Sequence, residues 1–189
     1  SASSLLTLDN NTTGALNAPT VTTIIGSAAE INTIYAANAA GTISGLGNEN
    51  IIATGALNIA QANTISASTT GLITATVSDN DMATLDGIAE SGHALTISVT
   101  DAVVAASNLN VLNTKTSVAV GVTSTTITGT YADVNDVFNA NTAGTISGLG
   151  DEAITLSGTI TVAQLNTIAS KTTGLITATV SDNDMATLD

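Results

Sequence analysis

The chain has 189 residues, 43% of them hydrophobic and only 9% charged, with a formal net charge of −13 at pH 7. Its 15 acidic residues face just Lys115 and Lys171, so nothing can neutralise a run of phosphates or an anionic membrane surface, and nucleic-acid binding is excluded as a function class. Apolar residues recur too regularly for disorder, no apolar run approaches the roughly 20 residues of a membrane span, no secretory leader is visible, and the absence of cysteine removes disulfides and thiolate metal sites.

A degenerate segment, apolar-x-x-(Leu/Ile/Val)-(Asn/Asp)-x-apolar, sets the order of elements. Its central residue falls at Leu8, Ile31, Ala62, Leu85, Leu112, Val134, Leu165 and Leu188, at spacings of 23, 31, 23, 27, 22, 31 and 23. Along the chain, Ile51-Ile52-Ala53 reads as a strand-like insert in the first 31-residue spacing. Ile59, Ala62 and Ile65 then recur at three-residue steps, one apolar stripe on a short helix. Gly71 precedes a half-buried strand in which Ile73, Ala75 and Val77 oppose Thr74 and Thr76. Met82, Leu85 and Ile88 form the next helical stripe. Gly92 opens a strand with Leu95, Ile97 and Val99 inward and Thr96, Ser98 and Thr100 outward. The order then recurs: Tyr131, Val134 and Phe138 on a helix, Ala153-Ile154-Thr155-Leu156 as the insert, Val162, Leu165 and Ile168 on a helix, and Gly174 before a strand. Gly71, Gly92 and Gly174 are expected at positive φ. Helices this short must be held by packing, and the alternation of helix and strand implies parallel strands with right-handed crossovers.

The recurrence is literal in places. Residues 69–86 return letter for letter as 172–189, and residues 40–47 as 143–150. An offset of 103 holds without a gap from Thr22 to Asp86, with 42 identities in 65 pairs. Periods of this kind belong to stacked repeats, none able to bury its own face alone. The expected fold class is an α/β repeat solenoid, with short helices alternating with parallel β-strands in coils of about 23 and 31 residues. Residues 1–189 are read as one continuous solenoid, 1–103 as a first long repeat and 104–189 as a second, incomplete one. A longer array is therefore expected, as is end-to-end association.

Three phrases carry a resemblance: Ala-Gly-Thr-Ile-Ser-Gly-Leu-Gly-Asp-Glu-Ala (143–153), Ile-Thr-Val-Ala-Gln-Leu-Asn-Thr-Ile (160–168) and Thr-Thr-Gly-Leu-Ile-Thr-Ala-Thr-Val (172–180). They resemble the tandem repeats of very large cell-surface and secreted proteins of marine cyanobacteria, including those associated with surface layers and motility. The resemblance implies an extracellular or cell-surface location and a spacer or fibre role.

Candidate chemistry is sparse. Ser78-Asp79-Asn80-Asp81 and Ser181-Asp182-Asn183-Asp184 are the densest oxygen clusters, and Asp79, Asp81, Asp182 and Asp184 are the candidate calcium ligands. Helix capping is the preferred reading, because Ser, Asp and Asn favour a helix start and neither the EF-hand frame nor the Gly-Gly-x-Gly-x-Asp repeat occurs. Asp151-Glu152, like Asn48-Glu49, is expected in a solvated turn, since a catalytic pair needs two acids in one cleft. Gly45-Leu46-Gly47 and Gly148-Leu149-Gly150 lack the frame of a phosphate loop and are read as turns. His93, the only histidine, supports neither a triad nor a zinc site and is expected at the surface or in a turn. Thr74, Thr76, Thr96, Ser98, Thr100, Thr177 and Thr179 form an outward hydroxyl ladder, which either reflects β propensity or orders water or sugar.

The expected function is a structural repeat segment building a fibre, sheath or surface layer by head-to-tail stacking on copies of itself. The alternative is a binding module for calcium, glycan or ice. No enzyme activity and no cofactor is expected, with calcium the one ion the turns could take. Partners are further copies and polysaccharide, without nucleic acid or membrane insertion.

Overall fold

Apolar stripes three residues apart and alternating β-branched runs become seven short helices and parallel strands in a computed structural model that describes residues 1–182. The chain divides into two units, Ser1–Asp79 with Gly87–Thr96, and Asn80–Asp86 with the chain from Ile97 onward.

In the first unit the order is α1 (Ala2–Asn10), β1 (Leu16–Asn17), β2 (Thr23–Gly26), α2 (Ala28–Ala40), β3 (Ile43–Ser44), β4 (Asn50–Ala53), α3 (Ile59–Ser66) and β5 (Ile73–Thr76). The one-turn helix α4 (Met82–Leu85) belongs to the second unit, and β6 (Ala94–Thr96) to the first. The second unit continues with β7 (Ser98–Val99), β8 (Val103–Ala105), α5 (Ala106–Asn113), β9 (Val120–Val122) and β10 (Thr126–Gly129). It ends with α6 (Tyr131–Ala143), β11 (Ile146–Ser147), β12 (Ala153–Ile160), α7 (Val162–Ala169) and β13 (Ile176–Val180).

Every strand pairing among the described residues is parallel, as the alternation of helix and strand requires. The first unit holds a four-stranded sheet in the order β2-β4-β5-β6 and the pair β1-β3; the second holds β8-β10-β12-β13 and β7-β9-β11. Register aligns like with like. Ile24, Ile51 and Ile73 form one buried row across the first sheet, and Val104, Ile127, Ile154 and Ile176 stand in the matching row of the second. Such rows of β-branched residues give each sheet its inward face. Both inserts are strands, β4 and β12. Among the described residues no helix is long and apolar enough to cross a membrane.

Helix ends follow local chemistry. Ser27 and Glu30 close a reciprocal capping box on α2, as do Asn58 with Gln61 on α3 and Thr161 with Gln164 on α7, satisfying N–H groups that have no partner inside the helix.

Three expectations need correction. The stripe Met82, Leu85, Ile88 is not one helix: α4 stops at Leu85 and Gly87 breaks it, although Ile88 is buried. The run 94–100 keeps its alternation, with Leu95, Ile97 and Val99 buried and Thr96, Ser98 and Thr100 exposed, but it is cut at Ile97 into β6 and β7, which join different sheets. Of Gly71, Gly92 and Gly174, only Gly92 has a positive φ, at +85°. Gly71 and Gly174 are required for a different reason. An alanine Cβ at either would lie inside the van der Waals shell of a backbone carbonyl oxygen, that of Glu49 or Glu152.

Candidate functional site

Asp79, Asp81 and Asp182 of the Ser-Asp-Asn-Asp turns go to helix N-termini, in two distinct ways. Asp81 is the N-cap of its own helix α4, its Oδ1 accepting from the Thr84 N–H and Oγ1–H at 3.0 Å each. These bonds, the hydroxyl's first, hold its carboxyl below the usual range. Asp79 caps a helix it does not precede: its Oδ2 accepts the Ile59 N–H at the start of α3, at 2.7 Å. Asp182 does the same for Val162 of α7 at 2.6 Å, and Asp101 for Met82 of α4 at 2.8 Å. The first N–H of each of these three helices is thus taken by an aspartate about 20 residues downstream, where the helix dipole also favours it. The role of Asp101 escaped sequence reasoning, because nothing near it looks like a helix start. Asp184 lies outside the described residues. Among the described residues no group of three or more Asp, Glu or His side chains is placed to hold a metal.

With the oxygens so engaged, calcium is expected to raise the melting temperature no more than magnesium does, since only binding to the folded state stabilises it. Asp79→Ala should cost about 1 kcal/mol, the usual worth of an N-terminal cap, with or without calcium. Melting curves in millimolar calcium and magnesium check both, and a calcium-specific rise that Asp79→Ala abolishes would reverse the assignment.

Glu49 and Glu152 are not in solvated turns. Their exposures are 0% and 2%, which corrects the expectation for both acid-bearing turns. Each carboxylate folds back onto the turn that precedes it. Glu49 accepts the Gly47 N–H at 2.8 Å on Oε2 and 3.1 Å on Oε1, and Glu152 accepts the Gly150 N–H at 2.8 Å. Tyr35 Oη donates to Glu49 Oε2 at 3.1 Å. Burial, aided by the carboxylate's charge, pushes the Tyr35 phenol up to about 12, so it stays a donor. The Glu49 carbonyl takes the buried Thr69 hydroxyl at 2.7 Å, and that of Glu152 takes Thr172 at 2.8 Å. Gly45-Leu46-Gly47 and its copy are turns, with Gly45 at φ +87° and Gly148 at +92°. The pattern Gly-x-Gly-x-Glu with Thr-Thr-Gly about 20 residues on was the available sequence signal.

His93 is half-buried rather than on the open surface. Its Nδ1 accepts the Ile73 N–H at 3.3 Å, so Nε2 carries the proton toward Ser66 Oγ at 3.2 Å. Burial lowers its pKa, against an opposing pull from Glu90. A group whose folded pKa is depressed binds more protons when unfolded. Stability should therefore be full above pH 6.5 and fall as pH drops through the window just below it. Thermal melts from pH 7.5 to 5.5 should show this loss, and His93→Gln should flatten the profile.

All seven ladder residues point outward, but the register mixes the rows. Across the first sheet Ile25, Ile52, Thr74 and Ala94 stand abreast, and Ile25 and Ile52 are exposed. In the second, Ala105, Thr128, Thr155 and Thr177 do.

The two copies differ most at α1 and α5, which present one stripe each: Ala2, Leu5, Leu8 and Ala106, Leu109, Leu112. Leu112 is 2% exposed and Leu8 51%. The chain matches no protein-family model, no curated protein and no solved structure.

Proposed function

We propose that this chain is a structural repeat segment of a large extracellular protein, a solenoid whose coils stack head to tail into a fibre, sheath or surface layer. The observation that carries this reading is that helices are completed by residues of the coil that follows. Asp79 serves α3, Asp101 serves α4 and Asp182 serves α7. Amides act in the same sense: Asn63 brackets the next coil through Gly87 O at 2.8 Å and Ala89 N at 3.1 Å, and Asn110 reaches Asp133 O at 3.0 Å. A coil so built depends on a neighbour, which is the energetic logic of a repeat array. The acidic surface and the resemblance of residues 143–180 to cell-surface tracts support the extracellular setting.

Tandem fusion tests the reading. Chains of one, two and three copies, joined in the natural 103-residue phase, should give a radius of gyration rising nearly linearly with copy number in small-angle scattering, and a melting temperature rising with it. Compact growth, with the radius following about the 0.38 power of length as in ordinary domains, would remove the stack.

A further inference from the structure

Resting on the stacking reading, we infer that the groove between α1 and β2 is a self-association site, and that its occupant is the Met185-Ala186-Thr187-Leu188 segment of a second copy of this chain. The groove is open and apolar, about 390 Å³, and lined by Leu5, Leu8, Val21 and Ile24 among others. Beside it, among the described residues, no strand pairs with the outer edge of β2, whose partner on the other side is β4.

The second unit shows what fills such a groove. There α5 stands where α1 stands, and β10 where β2 does. Ala106 and Ala2 identify the correspondence, each lying against the glycine that ends its strand, Gly129 or Gly26. On the outer side of α5, Met82 and Leu85 of α4 line a cleft with Asn108, Val111 and Leu112 in which only about 10 Å³ is left. Met82, Leu85, Leu109 and Leu112 are all buried. The outer edge of β10 is likewise filled, by β8. Leu5 and Leu8 of α1 match Leu109 and Leu112 in type and spacing, yet Leu8 stands half in solvent, with no Met-x-x-Leu pair beside it among the described residues.

The sequence supplies that neighbour. Residues 181–189 repeat 78–86 letter for letter, so Met185 and Leu188 duplicate the two side chains that close the α5 groove. One copy therefore carries the plug and the next the socket, and the contact is heterologous, growing open chains rather than closed dimers. With a net charge of −13 on each partner, association should strengthen with salt. The screening length falls from about 30 Å at 0.01 M to under about 8 Å above physiological strength.

The test is sedimentation equilibrium of the full chain in 0.5 M sodium chloride (about the strength that removes long-range repulsion), with Leu8→Glu in the socket and Leu188→Glu in the plug. Wild type should form concentration-dependent oligomers, and each variant alone should weaken association at least tenfold. An equimolar mixture of the two variants should recover a 1:1 dimer that grows no further, because one intact plug meets one intact socket. Leu8→Ser serves if the charge disturbs α1, with circular dichroism checking the fold. A peptide of residues 78–86 should compete. Wild type that stays monomeric to about millimolar concentration, variants that associate like wild type, or a mixture that stays monomeric would overturn the inference. Elongating tandem fusions alongside any of these outcomes would leave the stack standing and remove only this contact.

Discussion

Gly71→Ala is expected to destabilise the chain by roughly 3 kcal/mol, the upper range for forcing an extra methyl into a packed site. The added Cβ would overlap the Glu49 carbonyl oxygen and the peptide that follows it. That obstacle is backbone rather than a flexible side-chain tip, so it can yield only by moving β4. The Thr69 hydroxyl holds the same carbonyl oxygen at 2.7 Å, which leaves it little room to move. Gly55→Ala is the control. Nothing lies within 4 Å of a Cβ there, and the substitution should be neutral or raise stability by up to about 1 kcal/mol through the unfolded chain. Urea melts of the two variants measure the difference. Equal effects would mean that the close approach at Gly71 is not a constraint.

The second large effect is expected at Glu49. Removing its carboxylate takes the acceptor away from the half-buried Gly47 N–H and from the buried Tyr35 hydroxyl. Stranding such donors costs about 1–3 kcal/mol each, more where the lost partner was charged, so Glu49→Ala should lose about 3 kcal/mol. Tyr35→Phe supplies the contrast. It removes one hydrogen bond but keeps the ring, and the second copy carries Phe138 at the corresponding position, with Glu152 still bonded to Gly150 at 2.8 Å. A loss of about 1 kcal/mol or less is expected. Thermal denaturation of both variants decides it, and a Tyr35→Phe loss as large as that of Glu49→Ala would place the weight of this cluster on the phenol instead.

Much of the fold was legible because it is local. The stripe Val162, Leu165, Ile168 marks α7, and Ile73, Ala75, Val77 marks β5, because side-chain direction follows from backbone geometry within a few residues. The parallel arrangement followed from the order of helix and strand. Even the N-cap role of Asp81 could be read from its place before Met82. The candidate sites were less legible. Asp79 stands two residues before Asp81 in the same turn and looks alike in sequence, yet it serves Ile59, about 20 residues earlier. Glu49 reads as a turn acid until the fold carries its carboxylate inward over Gly47. His93 reads as an exposed turn residue until Ile73 and Ser66 close on its two ring nitrogens.

What the sequence determined by itself is the elements, their inward faces and their 103-residue repetition. Each of these depends on periodicity that a short stretch of chain carries alone. Tertiary structure decided which carboxylate caps which helix, where the run 94–100 breaks between sheets, and why Leu112 is buried while Leu8, in the same stripe on a matching helix, is half exposed. Those outcomes depend on register between segments about 20 residues apart, where a shift of one residue turns a strand's side chains to the other face. They also depend on what packs against each helix, and a packing neighbour decides burial without leaving any mark on the residues it covers.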